Sequence, residues 1–547
     1  MIVTQVSEAI LSDDSDDNQS SSSDVEDDGD DEMDNVDNDG WDLWGANDHD
    51  FHHVPFRGTA APHTGQKPDS LFLEIATKTN RYIRQKIRKV TLLQKHSIWN
   101  WWEDDTTEEL MAFHGVILNM GRRMKSTIKD FFLEQWLDSS RFYKDIFSRE
   151  RFLQIYWSLH VSPPPRDGTS NRQMQSQASK VKHVIDYIES KFLEFYSPLE
   201  YVCVDESTVN FKGRVVFKMH NPQKPTKWGL RIYVIADSTN GYVRGLIPYY
   251  GSVTTKSLIH PELTFTSRIV LQLINKVQSV TNEKGYHLYT DRFYTNLDLA
   301  RELLQANIHL TGTIIQTRKG LPKQMKRKAL KIKKHEVVAY RKEDKYLTSW
   351  KDKRVVTVLN IWHNPVTSEV SRKTAKKVKV FQKPVAVLDY TSKMGGVDRA
   401  DHYCLSYGFL KKSLKWWRKL YFWILEISLV NSFHLYNLNQ QSKNLPTVSH
   451  LEFRKKIIVG LVGNVRNKIS RKRGRPSTND TEDHLNGTLH LIRAHERKVT
   501  KDCEVYSNRK VKGGRKETSF YCNTCERKPG LHPNKCFAIY HAEKKYR

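Results

Sequence analysis

Tyr201–Gly251 reads YVCVDESTVNFKGRVVFKMHNPQKPTKWGLRIYVIADSTNGYVRGLIPYYG, and the parsing of its apolar runs decides the fold. The first run, Tyr201 to Val204, ends on the carboxylate Asp205. The second, Arg231 to Ala236, follows a basic connection and ends on Asp237. Short runs rich in Val, Ile and Tyr, bounded by Gly, Pro and Asn, predict buried strands. A carboxylate at a strand end stands on a rigid element at the rim of a sheet, where a metal can reach it. The plainer reading is a cap on the next turn. Two further stretches favour the metal. In HLYTDRFYTNLDLARELL a strand-like run, His287 to Thr290, ends on Asp291 before a helical pattern. In VAVLDYTSKMGGVDRADHY a strand to Leu388 leads through a Gly-containing turn to Asp398 and Asp401. Those two are three residues apart and share one helix face. Hard divalent cations such as Mg2+ take oxygen ligands, and carboxylates delivered by separate strand and helix ends are what a two-metal phosphoryl-transfer site requires.

The blocks that carry these aspartates resemble the piggyBac transposase family from about Asp69 to the C-terminus. They are VDES with FKGR, NPQKPTKWGLRIYVIADSTNGYV, YTDRFYTN, WKDKRVV, MGGVDRAD and KWWRKLYFWILEISLVNSF, with ATKTNRY, ELMAFHGVILNMG, SRERFLQIYWSLHVS and a Cys-rich tail beside them. The resemblance implies an α/β RNase H-like catalytic core inserted in a mainly α-helical dimerisation and DNA-binding domain, followed by a small C-terminal zinc-binding domain. It implies a catalytic triad of Asp205, Asp291 and Asp398 on two Mg2+, with Asp401 as a further metal-proximal carboxylate and Asp237 structural. The implied activity is cut-and-paste transposition by a homodimer. It would bind transposon-end inverted repeats in double-stranded DNA, cleave through hairpin intermediates and integrate at TTAA. The alternative is a domesticated relative that binds DNA without transposing it. A simple RNase H-type nuclease is disfavoured by the helical segments and the Cys-rich tail.

Composition agrees with a polyanionic partner. Over 547 residues, 88 Lys and Arg stand against 62 Asp and Glu, a formal charge of +26, which points to nucleic acid. Six cysteines, clustered toward the C-terminus, do not make a secreted disulfide framework. No apolar run approaches the ~18 residues of a membrane span, and the acidic N-terminus is unlike a signal peptide. The expectation is a nuclear protein of the reducing interior, with no membrane partner.

In chain order, residues 1–54 form an acidic tail expected to be disordered, either simply solvated or, through Ser15 and Ser20 to Ser23, a phosphorylatable shield for a basic surface. Residues 55–199 read as the first part of the helical domain, with Asp69 and Thr106 or Thr107 as N-cap candidates. His114 and His160 lie on apolar faces there and read as core histidines, and a polar, Pro-rich loop before the last helix reads as flexible. The catalytic domain spans 200–310 and resumes at 385–402. Between its parts, 311–384 is a basic insertion containing a small antiparallel sheet pattern, with Tyr340, Tyr346 and Trp350 among phosphate-contact cations. LNIWHN stands there where the family usually has a serine- and threonine-containing segment. Residues 403–465 complete the helical domain with a helix apolar nearly all round from Leu420 to Val430, expected to fold back on the N-terminal helices. Core packing explains Trp416 and Trp417, while Lys411, Lys412, Lys415 and Arg418 are candidate DNA contacts. The linker 466–485 carries Arg473-Gly474-Arg475-Pro476, an AT-hook core whose Arg473 and Arg475 suit a narrow minor groove or nuclear targeting.

Residues 486–547 hold Cys522-x2-Cys525, His532, Cys536 and His541, which is zinc-ligand spacing, with Cys503 upstream. The family's domain is a cross-brace with two zinc ions. Here Tyr506 stands where the second Cys of the first pair is expected, and His532 replaces a Cys. The expectation is one tight Zn2+ and a second that is weak, absent or completed by His490 or His495.

Overall fold

The computed structural model describes residues 40–44, 54–58, 61–62, 71–90, 93–133, 140–161, 174–222, 226–281, 284–326, 329–373, 378–409, 413, 415–466, 485, 489–496, 499–525 and 527–543. The expectations for the acidic tail, the Asp69 cap, the Pro-rich loop, Lys411, Lys412 and the Arg473 and Arg475 motif lie outside the described residues. The chain divides into two compact units, residues 1–467 and 468–547.

In the first unit, the short strands β1 (Asp42–Leu43) and β2 (Ala61–Pro62) precede five helices. These are α1 (Leu71–Arg88), α2 (Thr107–Arg122), α3 (Arg141–Ile146), α4 (Arg149–Ser158) and α5 (Met174–Phe195), after which comes β3 (Tyr196–Ser197). Thr106 starts α2 by accepting from the Glu109 N–H, and Ser148 does the same for α4 at Arg151, each satisfying a donor that a helix start leaves without a partner. Then follow β4 (Tyr201–Asn210), β5 (Met219–His220), β6 (Trp228–Asp237), β7 (Val243–Pro248), α6 (Ser252–Ser257), α7 (Phe265–Thr281), β8 (His287–Thr290), α8 (Leu297–Gln305) and β9 (His309–Thr313).

One ten-stranded sheet organises this unit. β4 pairs antiparallel with β6 and parallel with β8. β8 in turn pairs parallel with β9, and β6 also takes β5 and β7, both antiparallel. β4 does not end at Asp205, as its apolar run suggests, but continues five residues further to Asn210, because Glu206 to Asn210 still pair with β6. The insertion supplies β10 (Val337–Lys342), β11 (Lys345–Lys351) and β12 (Val355–Asn360). The antiparallel pattern read there is present, but it is not a separate small sheet: β12 pairs with β9, so the three strands extend the main one. β13 (Thr367–Lys373) and β14 (Val378–Pro384) form a separate hairpin.

The stretch to Leu388 is a second correction. VAVLDYTSK is helix α9 (Val385–Lys393), not a strand. Pro384 supplies the restricted φ that starts a helix, and only Ala386 and Val387 are fully buried. α10 (Gly396–Tyr407), α11 (Trp416–Ser442) and α12 (His450–Val462) complete the unit. α11 packs on α5 and α12 on α2, closing the C-terminal helices over the N-terminal ones. Buried Arg454 of α12 locks this junction, with its guanidinium bonded to Glu426 at 2.7 and 2.9 Å, the Leu118 carbonyl at 3.0 Å and the Tyr407 carbonyl at 2.8 Å.

Each face of the sheet has its own core, as the period of two requires. Val202 and Val204 of β4, with Tyr233, Ile235 and Leu288, face α7 and α8. Cys203 and Val209, with Ile232, Val234 and Tyr289, face α10 and the helical layer. The second unit contains β15 (Ile492–Ala494), β16 (Lys501–Asp502), β17 (Glu517–Thr518), β18 (Phe520–Cys522) and α13 (Lys535–Ala542), around a core built largely from its cysteines. Among the described residues no helix is long and apolar enough to cross a membrane.

Candidate functional site

The alternation along β4 decides where Asp205 sits. Cys203 and Val209 belong to the helical-side core, so Asp205 and Ser207 between them lie on that same face. β4 and β8 are paired Cys203 to Tyr289 and Val204 to Thr290. The next position on each strand is Asp205 and Asp291, which therefore stand side by side as β8 ends. Asp291 turns the chain into α8, its carboxylate accepting from the Phe293 N–H at 2.9 Å and its carbonyl from the Thr295 hydroxyl at 2.8 Å.

α10 brings Asp401 to this face and carries Asp398 three residues before it. Its first residue, Gly396, packs so closely that a Cβ there would lie 2.6 Å from Cys203 Sγ and 2.8 Å from the Asp237 carbonyl. Arg399 anchors the same turn on the Ser238 and Thr239 carbonyls at 3.0 and 2.7 Å. One turn on, Asp401 accepts from the Ser207 hydroxyl at 2.8 Å, two residues along β4 from Asp205. Asp398 lies in the first turn of α10 and is exposed, where the positive end of the helix favours a carboxylate. Asp205, Asp291 and Asp401 thus share one sheet face without closing tightly. Among the described residues, the groups of three or more His, Cys, Asp or Glu whose ligand atoms all lie within 4.8 Å are both in the second unit.

Ser207 and Tyr390 escaped the sequence reading. Burial above all, then the charges of Asp291 and Asp205, push the Tyr390 phenol up to about 12, and the Thr313 hydroxyl donates to it at 3.2 Å. Its neighbour Asp389 accepts from Tyr289 at 2.6 Å and from His363 at 3.0 Å. Asp237 is fully buried and holds a turn, accepting from the Tyr196 hydroxyl at 2.9 Å and the Thr239 N–H at 2.7 Å. His114 is a core histidine, with Nδ1 2.7 Å from the Leu110 carbonyl and Nε2 2.6 Å from the Tyr421 hydroxyl; burial lowers its pKa to about 4.

Of the cations proposed for DNA, Lys415 is exposed at the start of α11. Arg418 is not available: it is 4% exposed, donates to the Trp157 carbonyl at 2.9 Å and lies over the Tyr156 ring at 5.0 Å. One helical turn places it under the surface on which Lys415 stands. Trp416 and Trp417 are buried.

In the second unit the candidate ligands separate into two groups, His490, Cys522, Cys525 and His541, and Cys503, His532 and Cys536. β15 pairs with β18 so that Ile492 opposes Cys522, which brings His490 to the first group. His490 Nδ1 lies 3.7 Å from Cys522 Sγ and 3.5 Å from Cys525 Sγ, and His541 Nε2 lies 3.5 Å from Cys525 Sγ. Zinc bonds of about 2.0–2.3 Å at the tetrahedral angle separate neighbouring ligand atoms by about 3.5 Å, so the donor set fits Zn2+. His541 Nδ1 faces the Phe537 carbonyl at 2.9 Å, the outer contact that leaves Nε2 for metal. In the second group His532 Nε2 faces the Glu517 carbonyl at 3.0 Å and Nδ1 lies 3.4 Å from Cys536 Sγ. Tyr506 is 48% exposed, and His495 stacks on Tyr521 at 4.5 Å, outside both groups.

A family model described as "Transposase IS4" matches residues 68–433, and one described as "DDE_Tnp_1-like zinc finger" matches residues 485–542. The chain is 27% identical over 447 residues to PiggyBac transposable element-derived protein 3 of Homo sapiens, spanning 80% of this chain and 70% of that one. It is 27% identical over 447 residues to the human Chimeric ERCC6-PGBD3 protein, 39% of whose length it spans. It is 26% identical over 379 residues to human PiggyBac transposable element-derived protein 2, covering 66% of this chain and 59% of that one. Among solved structures it resembles in fold the "Cryo-EM structure of piggyBac transposase synaptic complex with hairpin DNA (SNHP)", with a TM-score of 0.61 and 22% identity over 72% of this chain and 78% of that chain.

Proposed function

The chain belongs to the piggyBac family of transposases, and from that premise we propose that it is a cut-and-paste DNA transposase working through an RNase H-like core. The observation that carries this reading is the pairing of β4 with β8, which sets Asp205 and Asp291 side by side on the face to which Ser207 ties Asp401. The strand order β7-β6-β4-β8-β9, with β8 and β9 parallel to β4 and its other neighbours antiparallel, supports the RNase H-like assignment.

Asp205, Asp291 and Asp398 would hold the pair of Mg2+, with Asp401 beside them. When bound, the ions supply Lewis-acid activation of water and then of a DNA 3′-hydroxyl for in-line attack on phosphodiesters. The chain's own part is placement. Two carboxylates are fixed by strand register, and Asp398 and Asp401 by a helix seated on Gly396 and Ser207. Cleavage through hairpin intermediates, integration at TTAA, action as a homodimer and a nuclear location complete the proposal.

The test is an excision assay on the cognate transposon ends, with duplex binding measured in parallel. Wild type should excise, whereas Asp205→Ala, Asp291→Ala and Asp398→Ala should bind but not cut. Cleavage by Asp291→Ala would refute the triad. The second reading, a domesticated DNA-binding protein, is favoured by the group of only three ligands, Cys503, His532 and Cys536, among the described residues, with Tyr506 standing where the sequence pattern expects a Cys. Specific binding by wild type with no excision would establish it.

A further inference from the structure

The row of the sheet that holds Asp205 and Asp291 has a third member. β8 and β9 are paired Tyr289 to Thr311 and Thr290 to Gly312, so the next positions across the three strands are Asp205, Asp291 and Thr313. Side chains alternate along a strand, which puts Thr313 on the face of Tyr289 and Asp291. α9 packs on this face, against β4, β9 and β12. Its Tyr390 reaches the row: the Thr313 hydroxyl donates to the phenol oxygen at 3.2 Å, and the charges of Asp291 and Asp205 act on the phenol.

Tyr390 is fixed from two sides. Its ring packs against the helical-side core. Its chain neighbour Asp389 accepts from the Tyr289 hydroxyl at 2.6 Å and from His363 at 3.0 Å. Tyr289 precedes Asp291 by two residues, about 7 Å along β8, so α9 is tied to the strand that delivers Asp291. A phenol can accept hydrogen bonds and has one proton to give. Thr313 occupies an accepting position, and among the described residues no acceptor takes the Tyr390 proton. With an ordinary pKa of about 10, the group is a neutral donor at physiological pH. Beside it stand carboxylates, which repel a phosphodiester unless cations intervene. A neutral donor fixed in advance at such a place favours the charge that develops during phosphoryl transfer.

We propose that Tyr390, positioned by Thr313, donates its phenolic hydrogen bond to a non-bridging oxygen of the scissile phosphodiester. The proposal rests on the transposase reading and adds a substrate-touching residue to its carboxylates. The phenol keeps its proton throughout. Water, and then a DNA 3′-hydroxyl, remains the attacking group.

The experiment is single-turnover cleavage of a transposon-end duplex by the full chain, with melting temperature and metal-free duplex affinity measured alongside. Tyr390→Phe keeps the ring and removes only the hydroxyl. Cleavage should fall about 10–100-fold, the worth of one hydrogen bond to a charged group, while melting temperature and duplex affinity stay at wild-type values. Thr313→Val, which leaves the phenol but not its positioning bond, should cost about 2–10-fold. Phosphate contact is separated from packing by substrates carrying one sulfur at the scissile phosphate, each diastereomer alone. Sulfur is a poor acceptor, so on the diastereomer that replaces the contacted oxygen the Tyr390→Phe loss should shrink to less than about 3-fold, and on the other it should persist in full. A packing role would give the same loss on both diastereomers as on the oxygen substrate, and that result would overturn the proposal. If Tyr390→Phe cuts like wild type while Asp205→Ala abolishes cleavage, the Tyr390 contact fails and the transposase reading stands. A wild type that binds the duplex and never cuts it overturns both.

Discussion

A single methyl group at Gly396 should separate the catalytic geometry from the fold. A Cβ there would lie 2.6 Å from Cys203 Sγ and 2.8 Å from the Asp237 carbonyl oxygen, whereas carbon reaches its optimal distance at about 3.5–4.0 Å. Neither neighbour can yield. Cys203 is fully buried in β4, and the Asp237 carbonyl accepts from the Gly241 N–H at 2.9 Å. In Gly396→Ala the start of α10 must lift by about 1 Å to restore contact distance. Overpacking of this size costs about 1–3 kcal/mol against a typical total of about 5–15, so the chain should stay folded with a melting temperature lowered by a few degrees. Asp398 and Asp401 ride on the displaced turns, and a shift of about 1 Å in an oriented site costs about 100-fold in rate. Excision should therefore fall about 100-fold while duplex affinity is unchanged. Gly395→Ala is the control, because a Cβ there meets nothing within 4 Å. The reasoning is refuted if Gly396→Ala excises at the wild-type rate, or if Gly395→Ala is equally damaging.

Metal analysis of the full chain should find one tightly held zinc, lost in His490→Ala, and Tyr506→Cys should raise the content toward two; two equivalents in wild type, unchanged by Tyr506→Cys, would mean that a fourth ligand is already present. Burial holds His114, His434 and His450 down to about 4, against about 6.5 in the unfolded chain. Below about 6.5 the unfolded state takes protons that the folded state refuses, so stability should fall by up to about 1.4 kcal/mol per pH unit per histidine and level off below about 4; melting temperatures that do not change between pH 7 and 4 would contradict this. Arg454→Met should cost about 3–5 kcal/mol by leaving Glu426 buried without its cation, and Arg454→Met/Glu426→Leu should recover much of that loss; a double variant no more stable than the single would count against the account.

What the sequence disclosed about the site depended on how local the cause was. The strand end at Asp291 was legible because the short run HLYT, buried throughout, stops where pairing with β4 ends and a helix pattern begins. Asp205 was placed at a strand end, since Glu206, Ser207 and Thr208 look like a turn and only partnership with β6 keeps them extended. VAVLD carries a strand's composition and is helical because Pro384 starts it and α9 lies on the sheet instead of joining it. His490 lies 32 residues from Cys522, beyond the reach of spacing rules, and only the β15–β18 pairing brings it in. Arg418 looked like its neighbour Lys415, yet the turn between them takes one inside and leaves the other out.

The carboxylates are held by two mechanisms of different stiffness, and this bears on why the site tolerates an insertion in the middle of its chain. Asp205 sits on a strand paired on both edges and packed on both faces, so moving it breaks two ladders and two cores at once. Asp291 inherits that rigidity through register. The insertion enters after β9 and returns at α9, and its strands β10 to β12 prolong the sheet on the far side of β9 from β4. Strain there reaches the two strand-borne aspartates through two parallel pairings and through Trp362, which packs against His287, and His363, which bonds Asp389 beside β8. α10 is the element the insertion delivers, and its position on β4 is set afresh by Gly396, Arg399 and the Asp401–Ser207 bond. Asp401 thus takes its position from β4 rather than from the chain that precedes it.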